Sequence, residues 1–380
     1  MTRIFAIIAA AAFAAPAPAP AQQMTFALQP TSTKVTVTKD VVYGRADTTT
    51  LRMDVYRPEG AASTRRPTLV FFNRAFGAER SGEFYAAWAR AAASRGVVAI
   101  LPDIRGGTEG SDFRLLVRHL VDRGPAVGVD PQAISVYAAS GNAFAALPVL
   151  EDPAMTAVKS AVIYYGAAPL KDFRLDLPVL VVRAGLDRPD LNRAISELVT
   201  AAVAQNAPLT LLNHAGGYHG FEMFNNDDAT RAVMEETIAF VRRTTTASYL
   251  ASVRAAIPEA SAAGYVQVRD FGKAATAYAP IVAQRPDDHR LRLSYGEALL
   301  GDSQFAAACA EFEKLKGKGL GPRDLGLPAA RACMGKGDPE AAIAWLKTIP
   351  TRFLPPAVQD EAVFASIKGR EDFKALFGAR

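Results

Sequence analysis

Three side chains far apart in the sequence, Ser140, Asp187 and His219, have the types needed for acyl transfer. A serine hydroxyl becomes a nucleophile when a histidine takes its proton, and the histidine does so when a carboxylate orients its ring. Ser140 stands in SVYAASGNAFA (135–145), which reads as a buried strand, a sharp turn and a small-residue helix. Asp187 closes LVVRAGLD (180–187), three residues past a strand and in a glycine-containing turn. His219 lies in GGYHGF (216–221), after the last strand candidate, in what reads as a flexible polar loop. Each position has a competitor. Ser140 alone would read as a helix N-cap. Asp190 is a second acid, at a helix start where acids are common for helix-end reasons. His214 is the rival base; His119 and His289 fall in a predicted helix and in a repeat region. The order serine, acid, histidine, each after its own strand, makes the three a candidate constellation.

The turn is unorthodox. The usual nucleophile pentapeptide is G-x-S-x-G, whereas residues 138–142 read AASGN. Ala138 is a mild departure, being nearly as small as glycine; Asn142 is the sharper one, although asparagine is the non-glycine residue that best tolerates unusual backbone angles. A tetrahedral intermediate needs two N–H donors aimed at its oxyanion. Gly141 N–H, next to the serine, is one candidate. The other belongs to the loop after the strand at 68–72, NRAFG (73–77), through Arg74 or Ala75. The Arg74 side chain reads either as solvent-facing or as a contact for an anionic substrate group. No H-E-x-x-H or paired C-x-x-C pattern is present, and RGGTEG (105–110) lacks the Gly-Lys-Ser/Thr ending of a phosphate loop. No metal or cofactor is expected.

The elements that must position these residues are legible as apolar runs. Strands are predicted at 34–38, 51–56, 68–72, 97–101, 134–138, 161–165, 179–183 and 209–212, and helices at 82–94, 111–123, 142–150, 189–205 and 229–243. The first two strands alternate and have no helix between them, so they should pair antiparallel at one edge. The others are short continuous apolar runs, as strands covered on both faces require. The expected fold is α/β, a mostly parallel sheet with helices on both faces. Ligands sit at the carboxyl ends of such strands, where all three candidates fall.

The chain of 380 residues is half apolar and about a fifth charged, which excludes a disordered chain. Its net charge of +5 is thinly spread; the local run Lys314, Lys316, Lys318 and Arg323 closes a predicted helix. No aromatics interleave it, so no nucleic-acid partner is expected. Residues 1–21 read as a signal peptide: Arg3, an apolar run at 4–15, and Ala19-Pro20-Ala21 as the cleavage site before Gln22. The run is shorter than the roughly 20 residues that span a bilayer, so a periplasmic or secreted location is expected without a membrane span. Residues 22–33 read as a loose leader. Cys309 and Cys333 read either as a disulfide or as buried free thiols.

After the polar link at 244–248, strand signals vanish and a 34-residue period begins. Ala262, Gly296 and Ala330 share one register; Ala274, Ala308 and Ala342 share another, followed four residues on by Tyr278, Phe312 and Leu346. This pattern resembles tetratricopeptide repeats, three of them between about Ala255 and Phe353. Residues 34–243 resemble an alpha/beta-hydrolase of the dienelactone-hydrolase and esterase type, on the segments LRMDVYRP, LVFFNRAFG, VVAILPDIRG, VDPQAISVYAAS, VLVVRAGLD and GGYHGF. The resemblance implies a serine hydrolase acting on a small ester-like substrate, with peptides or lactones as variants. It also implies that Asp103 and Arg105 are architectural. The expected organisation is a signal peptide (1–21), a leader (22–33), the hydrolase-like domain (34–247) and a helical repeat domain (248–380), the last binding a protein partner or shaping the substrate entrance. The competing reading is a binding or scaffold protein on a degraded hydrolase fold, favoured by the missing glycines and acting through its repeats.

Overall fold

The computed structural model describes residues 24–60, 65–73, 80 and 82–378. The predicted signal peptide and the two loop donors Arg74 and Ala75 lie outside the described residues.

Eight strands form one sheet: β1 (Val35–Ala46), β2 (Thr49–Pro58), β3 (Arg66–Phe71), β4 (Val98–Pro102), β5 (Val129–Ala139), β6 (Val158–Tyr164), β7 (Val179–Ala184) and β8 (Leu209–His214). Their spatial order is β1-β2-β4-β3-β5-β6-β7-β8. β1 pairs antiparallel with β2, and β2 antiparallel with β4; every other pair is parallel. Side chains alternate across the pleat, so each buried strand feeds two cores. In β5, Val136 and Ala138 join the core beneath α2 (Glu109–Asp122), α3 (Gly141–Leu150) and α4 (Pro189–Ala204). Tyr137 and Ala139 face the opposite core, under α1 (Glu83–Ser94) and α6 (Asp228–Thr244). Buried parallel strands can carry apolar residues at every position because both faces are covered, which is why they read as continuous runs.

Residues 24–33 differ from the expected loose leader. Phe26, Ala27 and Leu28 are buried, and the Phe26 ring packs edge-on against Phe84 and Trp88 of α1. Thr25 N–H donates to the carbonyl of Met223 at 2.8 Å and Ala27 N–H to that of Glu222 at 3.1 Å. Farther along, Thr31 pairs with Ser94 at the end of α1. Three apolar residues in a polar stretch give no periodicity to read, and their partners lie far away in sequence.

From Ala247 onward every element is helical: α7 (Ala247–Gln267), α8 (Phe271–Gln284), α9 (His289–Gly301), α10 (Phe305–Glu313), α11 (Pro322–Gly335), α12 (Pro339–Lys347), then short 3-10 turns and α13 (Glu371–Lys374). α8, α10 and α12 begin at residues 271, 305 and 339, in steps of 34. Asp270 and Asp338 cap α8 and α12, each side chain accepting from one first-turn N–H, that of Lys273 and that of Ala341. Ala262, Ala274, Ala308, Ala330 and Ala342 are buried between helices, and Gly296 lets the Phe312 ring lie against its backbone. Cys309 of α10 and Cys333 of α11 form a disulfide.

The helices meet the sheet region away from the carboxyl ends of its strands. Asn206, just before β8, donates to the carbonyl of Ala260, and α7 approaches so closely at Gly264 that an added Cβ would lie 2.7 Å from the Gln205 carbonyl. These contacts gather at the amino end of β8, and they do not favour the helices as a cover over the Ser140 end. Among the described residues, no helix is long and apolar enough to cross a membrane.

Candidate active site

Ser140 occupies the single-residue turn between β5 and α3, with φ 55° and ψ −130°. A positive φ is costly for a residue with a Cβ and marks a position that its surroundings hold in place. Three features hold it. Ser140 N–H donates to the carbonyl of Tyr164 on β6 at 2.9 Å. Its own carbonyl accepts from Ala143 N–H at 3.0 Å, starting the helix. Gly166 then packs against it: an added Cβ there would sit 2.5 Å from the Ser140 carbonyl oxygen and 2.6 Å from the Ala143 Cβ. The close approach that the pentapeptide glycines usually permit is met here by Gly166 and Ala143. Asn142 points elsewhere, its amide donating to the Tyr85 hydroxyl at 3.1 Å.

Ser140 Oγ lies 2.9 Å from His219 Nε2, and His219 Nδ1 lies 2.7 Å from Asp187 Oδ2. Asp187 has almost no exposed side-chain surface (2%), whereas 41% of the His219 side chain is open to solvent. Asp187 also accepts from the Arg188 N–H through Oδ1 at 2.7 Å, so both carboxylate oxygens are engaged. The three residues come from the ends of β5, β7 and β8. The rival residues are occupied elsewhere: Asp190 is exposed and ion-paired with Arg188, and His214 is buried with Nε2 2.9 Å from Thr230 Oγ1. Burial holds the His214 imidazole below its usual pKa.

The loop carrying His219 is not the flexible segment that its glycines suggest. Gly185 N–H donates to the carbonyl of His214 and Leu186 N–H to that of Gly217, at 2.8 and 2.9 Å, stitching the Asp187 turn to the His219 loop. A Cβ on Gly185 would collide with the Ala215 carbonyl, and one on Gly217 would lie 2.6 Å from the His214 ring. These glycines serve close packing.

Behind His219 lies a polar cluster that sequence reasoning missed. The Tyr165 ring packs on the imidazole, with centroids 4.6 Å apart. Glu222, in the short helix α5 (Phe221–Phe224), is fully buried and accepts from the hydroxyls of Tyr137 at 2.7 Å and Tyr165 at 2.8 Å. Burial pushes its carboxyl above the usual range, and the two tyrosine donors partly offset that. The carbonyl of the same residue accepts from Ala27, so the 24–33 segment, Glu222 and Tyr165 form one support behind His219. The only sequence signal was a Glu three residues past the histidine.

Gly141 opens α3, so its N–H belongs to the first turn, where helix donors lack intrahelical acceptors and the dipole favours negative charge. Asn73 is buried, its amide oriented to donate to the carbonyls of Phe71 and Pro102, and so ties β3 to β4. At the far end of the same loop Arg80 is bound by Asp40, Asp54 and Asp103, and Arg105 by Asp112 and Asp47. Asp103 and Arg105 therefore make structural ion pairs. Among the described residues, no group of three or more His, Cys, Asp or Glu side chains is arranged to hold a metal.

No family model matches the sequence, and no curated protein matches it. Solved structures similar to part of the chain include a fungal esterase from Rhizomucor miehei, at 15% identity and a TM-score of 0.46, over 57% of this chain and 86% of that one. Thermogutta terrifontis esterase 2 is similar at 19% identity and a TM-score of 0.43, over 55% and 93%. MGS-M1, an alpha/beta hydrolase from a deep-sea metagenome library of the Medee basin, is similar at 14% identity and 0.47, over 56% and 98%.

Proposed function

We propose that the chain is a serine hydrolase that cleaves carboxylic esters through an acyl-enzyme on Ser140. The reading rests on one observation, the unbroken hydrogen-bonded series from Ser140 Oγ through His219 to the buried Asp187. His219 Nε2 takes the hydroxyl proton as Oγ attacks the substrate carbonyl carbon. Asp187 stabilises the imidazolium through Nδ1–H. Gly141 N–H supplies one oxyanion donor, and the loop at 73–77 supplies the second through Arg74 or Ala75. Collapse of the intermediate expels the alcohol, which takes its proton from His219. Water, deprotonated by the same nitrogen, then releases the acid and restores Ser140.

The reading includes export after cleavage behind Ala21, and the Cys309–Cys333 disulfide suits an oxidising compartment. It also takes the helices after Ala247 as tetratricopeptide-like repeats that bind a protein partner. The 34-residue steps of the helix starts favour this. The contacts of α7 near Gln205 favour partner binding over a role at the substrate entrance.

Turnover of short p-nitrophenyl esters tests the reading. Ser140→Ala and His219→Ala are each expected to lower kcat by several orders of magnitude, on the order of 10⁶-fold. Unchanged turnover in Ser140→Ala would overturn it. Lactone and peptide substrates, run beside the esters, define the range of acyl donors.

A further inference from the structure

Between α3, the segment after Gly166 and α4 lies a groove of 430 Å³ that the chemistry above does not use. Its nearer wall is Phe144, one helical turn beyond Ser140 and 59% exposed despite its size. The segment directly after Gly166, from Ala167 to Leu170, also lines it. Its far wall is one face of α4, where Ala194, Leu198 and Ala201 follow the helical spacing i, i+4, i+7. Alanines at both ends of that face leave the space open. Glu197 is the one charged side chain lining it. A large exposed aromatic set in an apolar hollow marks a binding surface rather than a packing accident.

We propose that this groove binds the acyl chain of the substrate, and that the chain is a neutral, unbranched aliphatic one of medium length. This deepens the esterase reading and rests on it. The side of the site on which the groove lies decides which half of the ester enters. The acyl carbon stays bonded to Ser140, whereas the alcohol oxygen must leave against His219. The groove begins on the serine's own helix and on the segment that packs against the serine carbonyl. No residue of the His219 loop lines it. An apolar chain gains by leaving water along Phe144, Pro169 and Leu198, by about fourfold per buried methylene. The Glu197 carboxylate repels a second carboxylate at the far end of the chain, which disfavours monoesters of dicarboxylic acids.

Two ester series test the assignment on the full chain: p-nitrophenyl acetate to octanoate, which lengthens the acyl arm, and ethyl to octyl acetate, which lengthens the alcohol. The expected result is a kcat/KM that climbs from acetate to hexanoate in the first series and stays nearly level in the second. In Ala194→Trp and Ala201→Trp, each checked for an unchanged melting temperature, the hexanoate-to-acetate ratio of kcat/KM falls at least about tenfold. Glu197→Gln raises the adipate monoester relative to hexanoate. A climb in the alcohol series alone, or a ratio indifferent to both tryptophans, overturns the proposal while leaving the esterase reading intact. Absence of any Ser140-dependent acetate turnover sinks the esterase reading instead. Calorimetry of p-nitrophenyl hexanoate on Ser140→Ala separates the two failures. Binding that both tryptophans abolish keeps the groove as an apolar-chain site, and no binding removes it.

Discussion

The ring of Tyr165 rests 4.6 Å from that of His219, and its hydroxyl donates to the buried carboxyl of Glu222 at 2.8 Å. A histidine that is 41% exposed and sits on a loop is thereby backed by a side chain that is itself held from behind.

Tyr165→Phe removes one of the two donors to a carboxyl that has no exposed surface, at a cost of about 1–3 kcal/mol in stability. Loss of imidazole alignment should lower kcat by about tenfold, with KM little changed. Glu222→Gln keeps an acceptor for both hydroxyls and is expected to retain most activity, whereas Glu222→Leu is not. Steady-state kinetics beside urea denaturation separates the alignment effect from simple destabilisation.

The segment at 24–33 is expected to act on the same support. Phe26→Ala leaves a hole against Trp88 and Phe84, and aromatic-to-alanine changes in cores cost about 3–5 kcal/mol, somewhat less for a ring at the edge of the core. A chain starting at Lys34 loses in addition the bonds from Thr25 and Ala27 to α5. Its kcat should fall further than its overall stability predicts, measured at a temperature where circular dichroism shows it folded.

Glu151 supplies a pH dependence with a definite sign. Burial raises its carboxyl to about 7, even though Arg174 N–H donates to it at 2.6 Å. The folded chain therefore binds this proton more tightly than the unfolded one. That contribution to stability is fully present below the unfolded value near 4.5 and is lost as pH rises to about 7. The whole span is worth about 3 kcal/mol. Glu151→Gln, which keeps the acceptor, should flatten the difference in unfolding free energy between pH 4.5 and 7; identical pH profiles for the two chains would contradict this assignment.

Reducing the Cys309–Cys333 bond opens a loop whose ends are 24 residues apart and should cost the helical region about 3 kcal/mol. Calorimetry with and without reductant, and on Cys309→Ala/Cys333→Ala, reads the loss. Ester turnover at 25 °C should be unaffected, because the bonded helices α10 and α11 carry none of the residues at the sheet's carboxyl end.

The sheet was legible because its buried strands are apolar runs punctuated by turns, and Ser140, Asp187 and His219 because each follows one of those runs. What escaped reading depends on contacts between distant segments. Gly166 does the work expected of the pentapeptide glycines, yet nothing near it in sequence announces that its Cα faces the Ser140 carbonyl. Asn142 departs from the pentapeptide, and nothing near it in sequence shows that its side chain reaches Tyr85 on α1. Glu222 gathers hydroxyls from the end of β5 and from the residue after β6. Among the glycines around His219, Gly217 is a point of close packing against the His214 ring and Gly220 holds a left-handed turn at φ 73°, whereas Gly216 faces open space; composition alone does not separate these roles. The choice between a disulfide and free thiols for Cys309 and Cys333 required the geometry of two neighbouring helices.

Covalent labelling tests the central claim most directly. The purified chain is treated with a fluorophosphonate, and the modified residue is located by peptide mass spectrometry. The account predicts a single adduct on Ser140, absent in Ser140→Ala and formed at least about 10²-fold more slowly in His219→Ala. A folded chain that takes up no label at Ser140, or that labels at the same rate without His219, would contradict it.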